Sequence, residues 1–174
     1  MTPIKDTTMQ ELIARYPVIL FDSFGVLASS NAVLPGAVEL IANLNAIAKT
    51  YFVLTNDASA LPESRSENYA KLALNIKPEQ IITSGGLLSR YFADEHLQGL
   101  RCVILGPEDS VRYVQIAGGE VVPIGADFDA VVIGDQSGFP FLETMDQVVH
   151  LGYLIQIWMI LHVAMSTVVG LMVK

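Results

Sequence analysis

Val18-Ile-Leu-Phe-Asp-Ser-Phe-Gly-Val-Leu27 is the stretch on which the fold turns. Val18 to Phe21 run without a polar break and are rich in β-formers, as expected of a strand buried in a parallel sheet. The run stops at a carboxylate, Asp22, and Gly25 follows three residues later. A bulky Phe24 and a permissive Gly25 come next instead of a helix start, so Asp22 reads as a site residue at a sheet edge and not as the cap of a following helix.

Outward from this strand the chain alternates. Upstream, Thr8 to Arg15 predict a short helix with Thr7 or Thr8 as N-cap and Glu11 as its acidic partner, ended by Tyr16-Pro17. Downstream, Leu34-Pro-Gly36 open a helix to about Ile47, with Val38, Ile41, Ala42 and Leu44 at helical spacing. Tyr51-Phe-Val-Leu54 is a second strand and runs into Thr55-Asn56-Asp57-Ala58-Ser59. A helix over Glu63 to Leu74 precedes a third strand, Ile81-Ile82, which ends in Thr83-Ser84-Gly85-Gly86, and a further helix runs through Phe92. Strands separated by helical spacers imply right-handed crossovers and a parallel sheet, hence an α/β fold. After Gly99 a smaller α/β rhythm begins: strand Arg101–Leu105, helix Pro107–Ala117, strands Glu120–Val122 and Ala130–Ile133, and a helix from Glu143 to about Tyr153.

Charge is unevenly spread. All 18 acidic residues and nine of the ten basic ones lie at or before Asp146; only Lys174 follows. A net charge of −8 argues against non-specific nucleic-acid binding, which needs Lys and Arg to neutralise phosphates. It leaves small anions open, because backbone N–H groups hold phosphate without net positive charge. A single cysteine, Cys102, excludes an intramolecular disulfide and reads as a small buried hydrophobe. Met1 to Pro17 carry no apolar signal segment, so a cytoplasmic location is expected. No G-x-G-x-x-G follows a strand, which removes a dinucleotide-binding reading.

Ligands of open parallel sheets bind beyond the carboxyl ends of the strands. The three strands here end in Asp22-Ser23, Thr55-Asn56 and Thr83-Ser84, which places a carboxylate, hydroxyls and an amide along one edge. For Thr83 and Ser84, capping of the next helix is an equal alternative.

Phe21-Asp-Ser-Phe-Gly-Val-Leu27, Leu54-Thr-Asn-Asp-Ala-Ser59 and Ile82-Thr-Ser-Gly85, in this order, resemble the haloacid dehalogenase-like (HAD) superfamily, most closely its class IIA phosphatases. The stretch ending at Glu108 and Phe128-Asp-Ala-Val-Val-Ile-Gly134 resemble the α/β cap that this class inserts after the third strand. The resemblance covers about residues 16 to 150. It implies a HAD-like, Rossmann-like core that is incomplete: residues 1–96 as its N-terminal half, 97–150 as a partial cap, and 151–174 as an apolar tail.

The resemblance further implies that Asp22 is the nucleophile, forming an aspartyl-phosphate. Thr55 would bond a phosphoryl oxygen, Asn56 would orient a small phosphorylated metabolite, and the backbone around Ser23 and Gly25 would line the phosphate pocket. Mg²⁺ would be held by Asp22 and by the Phe24 carbonyl.

Two departures set limits. The family's phosphatases carry a second Asp two positions after the nucleophile to protonate the leaving alkoxide; here that position is Phe24, and losing a general acid typically costs ~10²–10⁴ in rate. No Lys or Arg lies between Arg112 and Lys174 and no acid follows Asp146, so the family's later lysine and acidic metal ligands have no counterpart. The expectation is a HAD-type hydrolase by ancestry, impaired as a chain on its own. The alternative is a non-catalytic phosphate-binding or interaction fragment.

Residues 151–173 are uncharged and long enough to span a bilayer. They read either as the product of a frameshift or altered 3′ end, or as a membrane helix tethering the protein. His162 has no partner at ligand spacing. Substrate identity and oligomeric state are not readable from the sequence.

Overall fold

A computed structural model describes residues 6–29, 32–140, 142–144 and 146–147. The tail expected over 151–174 and most of the helix expected from Glu143 lie outside the described residues. The chain divides into two compact units, one made of Met1–Thr55 and Arg65–Ile82, the other of Asn56–Ser64 and the chain from Thr83 onward.

The first unit opens with α1 (Met9–Arg15). Its start is a capping box: Thr8 Oγ1 accepts the Glu11 N–H at 3.2 Å, and the Glu11 carboxylate accepts the Thr8 N–H at 3.1 Å. The Lys49 ammonium donates to the Ile13 and Tyr16 carbonyls and closes the helix's other end. Strands β1 (Val18–Asp22), β2 (Thr50–Thr55) and β3 (Ile81–Thr83) lie in the order β1-β2-β3. β1 and β2 are parallel, with Val18 opposite Thr50 and Asp22 opposite Leu54.

Strand alternation sends Phe21, Tyr51, Val53 and Ile81 to one face, where they pack with Ile41 and Leu44 of α2 (Ala37–Ala46), with Tyr69 of α3 (Pro62–Lys71), and with Leu74 and Ile76. Burying each such side chain contributes ~1.5–3 kcal/mol. The other face is different. Val18, Leu20 and Ile82 point to it and remain 43%, 50% and 38% exposed. A continuous apolar run suggests a strand covered on both faces; in β1 only Phe21 is buried among the described residues. Helix α3 also stops earlier than its expected end at Leu74: Ala73 takes a left-handed φ of 59°, and the Leu74 N–H turns back to the Tyr69 carbonyl at 2.9 Å.

The second unit holds a 3₁₀ turn (Gly85–Leu87), α4 (Leu88–Asp94), β4 (Arg101–Leu105), α5 (Glu108–Ile116), β5 (Glu120–Val121) and β6 (Ala130–Ile133). Its sheet is parallel, in the order β5-β4-β6. Here β4 is covered on both sides. Phe92, Tyr113 and Val114 pack with Cys102 on one, and Phe128 and Val131 pack with Val103 and Leu105 on the other. The fold class is α/β with parallel sheets, as the sequence pattern implies. No helix among the described residues is long and apolar enough to cross a membrane.

Candidate functional site

Asp22 ends β1 on its exposed face, level with Leu54, so the parallel register brings it and Thr55 to the same carboxyl edge of the sheet. The turn that follows is built by hydrogen bonds to one carbonyl. Ser23 C=O accepts from the Val26, Leu27 and Ala28 N–H groups at 3.4, 3.0 and 3.2 Å, while the Gly25 N–H donates to the Ala28 carbonyl at 2.8 Å. Gly25 makes the reversal at φ 78°, a value that side chains with a Cβ rarely adopt. Leu27 and Ala28 anchor the turn in the core.

Two contacts fix the residues beside Asp22. The Ser23 N–H donates to Asp22 Oδ1 at 2.7 Å. The Ser23 hydroxyl lies 2.5 Å from the hydroxyl of Tyr69, a residue 46 positions away that is only 3% exposed. Phe24 turns the other way and is 69% exposed. Two of the N–H groups expected to line a phosphate pocket are therefore engaged within the loop, that of Ser23 by the Asp22 carboxylate and that of Gly25 by Ala28.

Asn56 is the first residue of the second unit and is exposed; its carbonyl accepts the Ser84 hydroxyl at 2.8 Å. The segment after it is pinned to α5: Ser110 Oγ donates to the Ala58 carbonyl, Tyr113 Oη to the Ala60 carbonyl, and the Leu61 N–H to Asp109 Oδ2. Thr83 is buried, 2.7 Å from Tyr113 Oη, and its Oγ1 accepts the Gly86 N–H at 3.1 Å. Of the two readings held for Thr83, a cap and a site hydroxyl, these contacts are those of a cap. Burial, together with nearby acidic groups, pushes the Tyr113 phenol up to about 12 against the opposing hydrogen bond of Thr83.

Tyr69 was not singled out in the sequence, although a signal is present. It is the only buried residue of the mostly polar α3, Pro-Glu-Ser-Arg-Ser-Glu-Asn-Tyr-Ala-Lys, and a lone aromatic in such a helix faces inward.

The described residues contain no group of three His, Cys, Asp or Glu side chains arranged to hold a metal. Mg²⁺ differs from most metals in needing fewer protein ligands. It is commonly held by one or two carboxylates, with substrate phosphate and water completing its shell. The Asp22 carboxylate and a backbone carbonyl in the loop are hard oxygen donors that fit this pattern.

A Rossmann-like α/β protein with a carboxylate at the carboxyl edge of its parallel sheet is the class that the fold and this geometry define. A family model described as haloacid dehalogenase-like hydrolase matches residues 19–120. The chain belongs to that family. Chronophin of Bos taurus is 31% identical over 119 residues, which cover 67% of this chain and 37% of that protein. Chronophin of Mus musculus is 29% identical over 119 residues, covering 67% and 38%. The chain thus spans little more than a third of the curated relatives it matches.

Among solved structures, a possible sugar phosphatase of the HAD superfamily from Cytophaga hutchinsonii superposes with a TM-score of 0.77 at 30% identity, covering 90% of this chain and 58% of that one. A glycerol phosphate phosphatase from Mycobacterium tuberculosis, solved in complex with magnesium, superposes with a TM-score of 0.63 at 21% identity, over 80% of this chain and 43% of that one. The second likeness speaks for the fold alone.

Proposed function

We propose that these residues form the nucleophile-bearing part of a phosphomonoester hydrolase acting through an aspartyl-phosphate. The observation that carries this reading is the register of β1 and β2, which sets Asp22 and Thr55 at one carboxyl edge. In this reading the Asp22 carboxylate attacks the phosphorus of a small phosphorylated metabolite, and the bond to the leaving oxygen breaks. Water then hydrolyses the acyl phosphate. The Ser23 N–H on Oδ1 leaves Oδ2 as the attacking atom. The Thr55 hydroxyl bonds a phosphoryl oxygen, Asn56 orients the substrate, and the Ser23–Gly25 backbone shapes the pocket wall. Asp22 and the Phe24 carbonyl would hold Mg²⁺, which would supply neutralisation of the phosphate charge.

The domain reading kept with this proposal is a half-core over residues 1–96 and the beginning of a cap over 97–150, in a cytoplasmic protein. The tail over 151–173, expected as the product of a frameshift or altered 3′ end or as a membrane helix, lies outside the described residues.

Phe24 carries no proton to give the leaving group, and no Lys or Arg lies between Arg112 and Lys174 to balance an ionised Asp22. These two features favour low turnover by this chain alone, and they support a second reading, a fragment that binds phosphate or a partner without catalysis. Assay of the 174-residue chain with p-nitrophenyl phosphate and Mg²⁺ tests both. The expected result is weak turnover or none, with any turnover lost in Asp22→Asn. Turnover that survives Asp22→Asn removes the nucleophile assignment. Fast turnover that this substitution abolishes removes the impairment.

A further inference from the structure

We infer that Tyr69 is a positioning residue for the Asp22 carboxylate, acting through Ser23. The inference rests on the reading of Asp22 as the phosphate-site carboxylate and adds a residue from outside the motifs that define it.

The chain of contacts is short and direct. A tyrosine hydroxyl at 3% residue exposure is costly to bury without a hydrogen bond, and Ser23 Oγ at 2.5 Å provides one. Ser23 is bonded to Asp22, and its own N–H holds Asp22 Oδ1 at 2.7 Å. That N–H points at the carboxylate only while the Ser23 backbone keeps its orientation. The turn fixes the carbonyl side of Ser23, through the N–H groups of Val26, Leu27 and Ala28. Tyr69 fixes the side-chain side, from a helix in which no other residue is buried. Residue order adds to the case: along Phe21, Asp22, Ser23 and Phe24 the side chains alternate between the core and solvent, so a tether on Ser23 from the core side presents Asp22 to the solvent side.

Removing the Tyr69 hydroxyl should therefore loosen Asp22 without removing any group that touches a ligand. The variants are Tyr69→Phe, Ser23→Ala and the double substitution, each checked for an intact fold by circular dichroism. The first measurement is hydrogen exchange of the Ser23 amide in the ligand-free protein, by NMR. Tyr69→Phe is expected to speed it about tenfold, equivalent to ~1.4 kcal/mol, with little change at amides of α2. An unchanged Ser23 amide overturns the inference. Should Tyr69→Phe fail to fold, Ser23→Ala leaves the ring in place, and slower or equal exchange at residue 23 has the same overturning meaning.

The second measurement is the affinity for orthovanadate with Mg²⁺, by calorimetry. Each single substitution is expected to weaken binding about tenfold, and the pair no more than the worse single, because both break one path. Losses that multiply to about a hundredfold mean that Tyr69 acts through the core and not through Ser23, and overturn the inference. Absence of vanadate binding in the unsubstituted protein counts against the phosphate reading of Asp22, while the Ser23 amide still decides whether Tyr69 holds the loop.

Discussion

The Tyr113 hydroxyl lies 2.7 Å from the Thr83 hydroxyl and donates to the Ala60 carbonyl, also at 2.7 Å, joining the end of β3 to the segment that follows Asn56. The Tyr113 ring fills the space above Gly85, where an added Cβ would meet a ring carbon at 2.4 Å. Gly85→Ala is expected to destabilise by ~1–3 kcal/mol, the range for overpacking. At Gly86 the nearest atom to such a Cβ is Thr83 Oγ1 at 3.2 Å, so Gly86→Ala should cost less. Urea denaturation of the two variants checks the order, and equal midpoints would contradict it.

The two faces of β1 should respond oppositely to substitution. Phe21 is buried and meets Tyr51 edge-on, with ring centroids 6.1 Å apart, so Phe21→Ala should cost ~3–5 kcal/mol. Leu20 is half exposed, and Leu20→Ser should stay within ~0.5 kcal/mol while raising solubility. Denaturant titration measures the first pair of values, and the soluble fraction after expression measures the last. A large loss at Leu20 would mean that this face is covered.

Arg101 and Asp129 make a bidentate pair at 2.7 and 3.0 Å at the base of β4. The Arg101 side-chain and backbone hydrogen bonds hold the Asp129 carboxyl down at about 2. A carboxylate with a depressed folded-state value stabilises fully above its unfolded value near 4 and loses that contribution as pH falls to about 2. The pair is partly exposed, so the effect is modest and salt-sensitive. Between pH 5 and pH 2 the melting temperatures of the parent protein and Asp129→Asn should converge. A gap that widens over that window would contradict the assignment.

Cys102 is buried in the second unit, and burial, followed by the nearby Asp129 charge, pushes its thiol up to about 11. At pH 8 roughly one part in a thousand is thiolate. Native protein should react with a disulfide reagent only after denaturant is added. Stoichiometric labelling within minutes in native buffer would show an accessible thiol.

The strand runs were legible because a buried parallel strand favours an unbroken apolar stretch, and Val18–Phe21, Tyr51–Leu54 and Cys102–Leu105 each supply one. Asp22 was legible as the point where the first run ends. The open face of β1 was not, since Val18 and Leu20 read the same whether or not anything covers them. The inward turn of Thr83 was not either. It depends on Tyr113, 30 residues on, and a strand-end threonine has the same local pattern in both roles. The hydrogen-bonding of the Asp22 loop required Leu27 and Ala28 to be anchored in the core and Tyr69 to arrive from α3, which are tertiary facts with only a faint trace in the sequence.

The central claim is that the Asp22 carboxylate is where this protein meets phosphate. Titration of ¹⁵N-labelled protein with beryllium fluoride and Mg²⁺, a mimic of an aspartyl-phosphate, tests it without need of turnover. The account predicts amide shifts concentrated at Ser23, Phe24, Gly25 and Thr55 that vanish in Asp22→Asn. Shifts that persist in Asp22→Asn, or that leave these four residues unmoved, would contradict it.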